Sequence, residues 1–154
     1  MMGIAEDMQA RLRAALPDEI PVLLPYEQRT PLEAAPLDAQ GRPVVGAGER
    51  GLGAYLTAHP AGYVQIEQPA PIGSDGSTAT YWVAVASFAR SAEQAQALAR
   101  RVRLALSGTS PDPGPHAEVL AAQPAPIQGG VWMVRPTFDA LTVDGEHAAP
   151  RSNP

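Results

Sequence analysis

The sequence predicts an α/β protein of the α+β type: one mainly antiparallel or mixed sheet, with an N-terminal helix and a second, capped helix packed on one face. Three observations carry this prediction. Ile4, Met8, Leu12 and Leu16 recur at helical period near the start of the chain. Thr80 to Phe88 (TYWVAVASF) is rich in aromatic and small apolar residues, as a buried strand is. Directly after it, Ser91-Ala-Glu-Gln94 forms an S-x-x-Q capping box that opens a second amphipathic stripe. A length of 154 residues suits one domain, and we assign it to residues 1–143, with a long Pro/Gly loop at 25–60 and a polar, flexible tail at 144–154.

Each element has its own warrant. Pro17 stops the first helix, whose charged residues Glu6, Asp7, Arg11 and Arg13 lie off the apolar stripe. Ile20 to Leu24 is an apolar run between prolines, which suits an edge strand because Pro21 and Pro25 cannot donate to a central ladder. From Pro25 to about Gly53 no period survives, so this stretch reads as loop. Tyr63 to Glu67 alternates as a strand does, and Pro69 to Ala79 (PAPIGSDGSTA) has the composition of a turn-forming loop. Neither face of Thr80–Phe88 is clearly polar, so one face packs under helices and the other needs cover from this chain or a partner.

The second helix places Ala95, Leu98, Val102, Ala105 and Leu106 on one side and Arg100, Arg101 and Arg103 on the other, with Gly108 just beyond its end. After a proline-rich break, Glu118 to Gln123 fits a short strand. Val131 to Val143 reads either as a strand pair or as one strand bent at Pro136.

Composition narrows the function classes. The 11 basic residues are all arginine, and the net charge of −5 argues against general or sequence-specific nucleic-acid binding. Zero cysteines remove thiolate metal sites and disulfides, and fit assembly in a reducing cytoplasm. The start MMGIAEDMQ lacks a signal-like apolar segment, and YWVAVASFA is too short to span a bilayer, so the chain reads as soluble, untargeted and without a membrane partner.

Motifs for chemistry are sparse. Gly46, Gly48 and Gly51 match G-x-G-x-x-G, and Glu67 stands where a ribose-binding acid would. Yet the strand before them amounts to Val44 and Val45, and the helix after them runs only from Leu52 to about Ala58, weakened by Gly53. A flexible glycine loop leading into a short helix is the favoured reading, with dinucleotide binding kept as an alternative. His59, His116 and His147 lie in or beside loops without a second ligand at helical spacing, and read as surface histidines. Asp139, Asp144 and Glu146 could be imagined around a divalent cation, but read better as a charged strand end entering a polar tail. No nucleophile elbow is present, and we assign no catalytic residue, cofactor or metal.

The stretch TYWVAVASFARSAEQAQALARRVRLALSG, followed by a Pro-rich break and GGVWMVRPTFDALTVDG, resembles the tail-terminator (tail completion) proteins of long-tailed bacteriophages. The resemblance covers about Thr80 to Gly145, and the helix Ile4–Leu16 in position and character. The loop Tyr26–His59 is longer than such proteins usually carry. The resemblance implies a non-enzymatic virion protein, assembled in the host cytoplasm. It would form a hexameric ring on the head-proximal end of the tail tube, stop tube polymerisation and meet the head connector. Its partners would be itself, the tail tube protein and a head-closure protein. Arg100, Arg101 and Arg103 are then candidates for the subunit interface, and Ile72, Ser74, Asp75 and Ser77 for the tail-tube contact. The alternatives are a head-closure protein of the phage neck and a small dinucleotide-binding protein using the GAGERG loop.

Overall fold

The computed structural model describes residues 3–27, 39–42 and 51–143. Its centre is one long strand, β4 (Thr78–Ala89), around which an 8-stranded mixed sheet is built. Each side of β4 is lined by two shorter strands set end to end. On one side β2 (Tyr63–Ile66) pairs with its C-terminal half and β3 (Ala70–Ser74) with its N-terminal half, both antiparallel. On the other side β7 (Trp132–Val134) and β8 (Thr137–Val143) do the same. Proline stands at both breaks. Pro69 and Pro136 have no N–H to donate, so each flanking strand is interrupted there. The acceptor side of the ladder continues: Val85 N–H donates to the Pro136 carbonyl at 3.0 Å.

The outer positions are held by β1 (Val22–Leu23), β6 (Ala125–Pro126) and β5 (Glu118–Leu120), which pair with β2, β7 and β8 respectively. Among the described strands only β1 runs parallel to its neighbour. Its short edge is closed by glutamines. Gln9 Nε2 donates to the Val22 carbonyl at 2.8 Å, and Gln65 Nε2 to the Leu24 carbonyl at 3.0 Å, so these carbonyls are not left as a template for another strand.

Helix α1 (Ile4–Ala15) ends where Leu16 turns extended ahead of Pro17, as the ring of a following proline disfavours helical geometry. Helix α3 (Ala92–Ser107) begins at Ser91, whose Oγ accepts from Gln94 N–H at 3.1 Å. The reciprocal half of the expected capping box is absent. Gln94 instead donates from its side chain to the Pro60 carbonyl at 2.8 Å, tying the start of α3 to the turn before β2. At the other end Gly108 has φ 68°, and a side chain there would collide with the Asp112 carbonyl.

Both helices cover the same face of the sheet. Met8 and Leu12 of α1 and Leu98, Val102 and Leu106 of α3 pack on Val64, Ile66, Val83, Val85 and Phe138. Fully burying each such side chain contributes roughly 1.5–3 kcal/mol.

The short helix read after the glycine loop is present as α2 (Gly51–Ala58), within the stretch assigned as loop at 25–60, and it gives the opposite face a cover from this chain. Leu52 and Leu56 pack there with Leu23, Tyr63 and Val131. Tyr63 stacks on Phe88 with ring centroids 4.6 Å apart, and Tyr55 meets Tyr63 edge-on at 5.0 Å. The stretch expected as loop at 69–79 is mostly strand: β3, a turn at Asp75-Gly76-Ser77, and the start of β4 at Thr78. Over Val131–Val143 the structure has two strands rather than one bent strand, set in line on either side of Pro136 and both paired with β4.

Candidate assembly interface

Arg100, Arg101 and Arg103 are all exposed, because the α3 residues that pack on the sheet, Ala95, Leu98, Ala99, Val102 and Leu106, occupy the other side of the helix. None of the three guanidinium groups has a carboxylate within ion-pair distance among the described residues. They line a groove of about 890 Å³ between α3 and the segment that leads from Gly108 to Glu118. Arg100 and Arg103 also border a second, smaller depression, shared with Glu118 and Val134.

The sequence reading missed an apolar member of this face. Leu104 lies between the arginines and remains 57% exposed. Four residues beyond Arg100, it shares that residue's side of the helix. An exposed leucine set among unpaired arginines has the make-up of an association surface, an apolar centre with a charged rim.

The hairpin residues have distinct roles. Asp75 holds the turn: its Oδ1 accepts from Ser77 N–H at 2.9 Å, Thr78 N–H at 2.8 Å and Ser77 Oγ at 3.0 Å. These donors, the Thr78 and Ser77 amides first, lower the Asp75 pKa to about 2. Ser74 Oγ accepts from Gly76 N–H at 3.2 Å. The polar side chains at the tip therefore fix its shape, while Ile72, exposed on β3, offers the bare apolar contact. Every residue of β3 is exposed, and among the described residues β4 is its one partner strand.

A third concave surface lies where α1 begins. Tyr26, 81% exposed, stands beside Tyr81, Glu6 and Pro69 around a cleft of about 420 Å³. The sequence held no signal for it, since Tyr26 sits in a stretch without periodicity.

Several residues weighed for chemistry have structural roles. Glu67 accepts from Arg135 through both carboxylate oxygens, at 2.5 and 2.6 Å, so the acid considered for a ribose is already paired. Gly46 and Gly48 lie outside the described residues. His116, expected at the surface, is instead buried: Nδ1 donates to the Asp139 carbonyl at 2.8 Å, and Nε2 lies 3.7 Å from Asp7 Oδ2. Burial follows from its neighbours, because His116 N–H also donates to the Leu106 carbonyl at the end of α3. His59 sits half-buried with its ring 4.5 Å from that of Tyr55. Asp139 Oδ1 accepts from Ala117 N–H at 2.7 Å, and the other two acids of that imagined group, Asp144 and Glu146, lie outside the described residues, as does His147. Among the described residues no cluster of three or more metal-ligating side chains occurs, and no helix is long and apolar enough to cross a membrane.

The chain matches no protein-family model and no curated protein sequence. The case for function therefore rests on the surfaces just described.

Proposed function

We propose that this protein is a structural subunit of a long-tailed phage, a tail terminator. It assembles into a ring, a hexamer in the simplest reading, at the head-proximal end of the tail tube, ends tube polymerisation and presents a surface to the head connector. It works in the virion after assembly in the host cytoplasm, and it catalyses no reaction. The observation that carries this reading is the β3–β4 hairpin. Its first strand is exposed from Ala70 to Ser74, yet its turn is locked by Asp75, so the chain maintains an ordered edge that buries nothing of its own. Rigid, exposed edges of this kind suit contact with another protein, since little ordering entropy is lost on docking.

The unpaired arginine face of α3 supports the same reading from a separate part of the surface. A closed ring of identical subunits uses two different patches per subunit, and a tube contact needs a third. Negative-stain electron microscopy of the purified protein, alone and with tail tubes, tests the proposal. Rings of uniform size that cap tube ends are the expected result, and deletion of Ile72–Ser77 should leave rings that no longer cap. A protein that stays monomeric even with tubes present overturns it.

A further inference from the structure

We infer that the seam between copies of this chain joins the α3 face of one protomer, Arg100, Arg103 and Leu104, to the cleft at Glu6, Tyr26 and Tyr81 of the next. The inference rests on the ring reading above and adds which two patches meet. Charge and shape both favour this pairing. The α3 face holds cations that lack carboxylate partners among the described residues, around an exposed leucine. The cleft supplies the complement: the exposed carboxylate of Glu6 on the first turn of α1, and two aromatic rings, one of which is the most exposed large hydrophobic side chain among the described residues. A guanidinium can pair with the acid and lie flat on a tyrosine ring at once, an arrangement lysine could not match.

The two patches share no residue, as a head-to-tail seam requires. Each is concave beside a protruding side chain, so Leu104 and the arginines can enter the cleft while Tyr26 enters the groove beside α3. Tyrosine and arginine are also the residue types that concentrate binding energy at interfaces, and such residues tend to face each other.

Mixing two variants tests the pairing. R100A/R103A/L104A removes the α3 face alone, and E6R/Y26A damages the cleft alone. By light scattering each should be monomeric at concentrations where the wild type forms rings. Their equimolar mixture should give dimers and nothing larger, because one intact α3 face meets one intact cleft and the opposite ends are both dead. The milder variants R103Q and E6Q, with circular dichroism as the fold check, should each weaken assembly at least several-fold. A wild-type protein that never assembles overturns the ring reading, and the seam with it. Wild-type rings together with E6R/Y26A rings of equal stability overturn the seam alone, as does a mixture that yields no dimer.

Discussion

Arg135 and Glu67 form a two-pronged ion pair across the width of β4. Glu67 follows β2 on one flank of the central strand, and Arg135 lies between β7 and β8 on the other. The register places both on the face that carries Ala84 and Ala86, two small residues over which the pair can lie. The hydrogen bond to Glu67, and secondarily its charge, raise the Arg135 pKa, with partial burial acting against them. The cation is therefore kept through all neutral pH, and its contribution is lost only in strong alkali. Because the Arg135 and Glu67 side chains are 49% and 30% exposed, the coupling should be modest, about 0.5–1 kcal/mol in a double-mutant cycle of R135A and E67A followed by urea unfolding. Ala86→Leu, at a fully buried site under the same clamp, should cost more, roughly 1–3 kcal/mol.

The Asp75 turn should respond to acid. A carboxyl group whose folded pKa is about 2 against an ordinary 3.8 contributes above the higher value and loses its contribution as pH falls toward the lower one. The Ser77 and Thr78 amide resonances should therefore move together between about pH 4 and pH 2, while those of β2 stay fixed. Asp75→Ala should produce the acid-form shifts already at neutral pH. Independent behaviour of the two amides would show that they do not share one acceptor.

At the start of α3, Ser91→Ala removes the acceptor for Gln94 N–H and should lower stability by about 1 kcal/mol. Gln94→Ala acts elsewhere: it frees the Pro60 carbonyl, so its effect should show as faster amide exchange around Gly62 rather than as fraying of α3. Leu98→Ala should cost about 2–5 kcal/mol, as its side chain is buried between α3 and the sheet.

His116→Ala should destabilise the junction of α3 and β8 by about 1–3 kcal/mol, since the Asp139 carbonyl loses its side-chain donor.

The elements were legible wherever the local pattern was strong. Ser91, the stripe from Ala95 to Leu106 and Gly108 mark a helix because cap, period and stop agree within one stretch of chain. Helix α2 could be read as a short run from Leu52 to about Ala58, but what holds it could not: Gly51 and Gly53 lower its propensity, and its stability comes from Leu52 and Leu56 meeting Tyr63 and Val131, contacts made only in the folded chain. β3 was hidden for a similar reason: Pro69, Pro71 and Gly73 look like loop, and the ladder to β4 decides otherwise. The arginine face could be read at once because helical geometry fixes what lies opposite an apolar stripe. Leu104 and Tyr26 could not, as only the finished surface shows which apolar side chains remain uncovered.

By itself, then, the sequence determined the helices with clear caps and stripes, the central strand, and the side on which Arg100, Arg101 and Arg103 emerge, for these follow from local periodicity and hydrogen bonding. The tertiary structure decided the rest. It set which strands flank β4, placed Glu67 and Arg135 within reach across it, buried His116 between α1, α3 and β8, and brought Glu6, Tyr26 and Tyr81 around one cleft. Those relationships join residues distant in the chain, and their distances are set by the packing of the whole sheet rather than by any local preference.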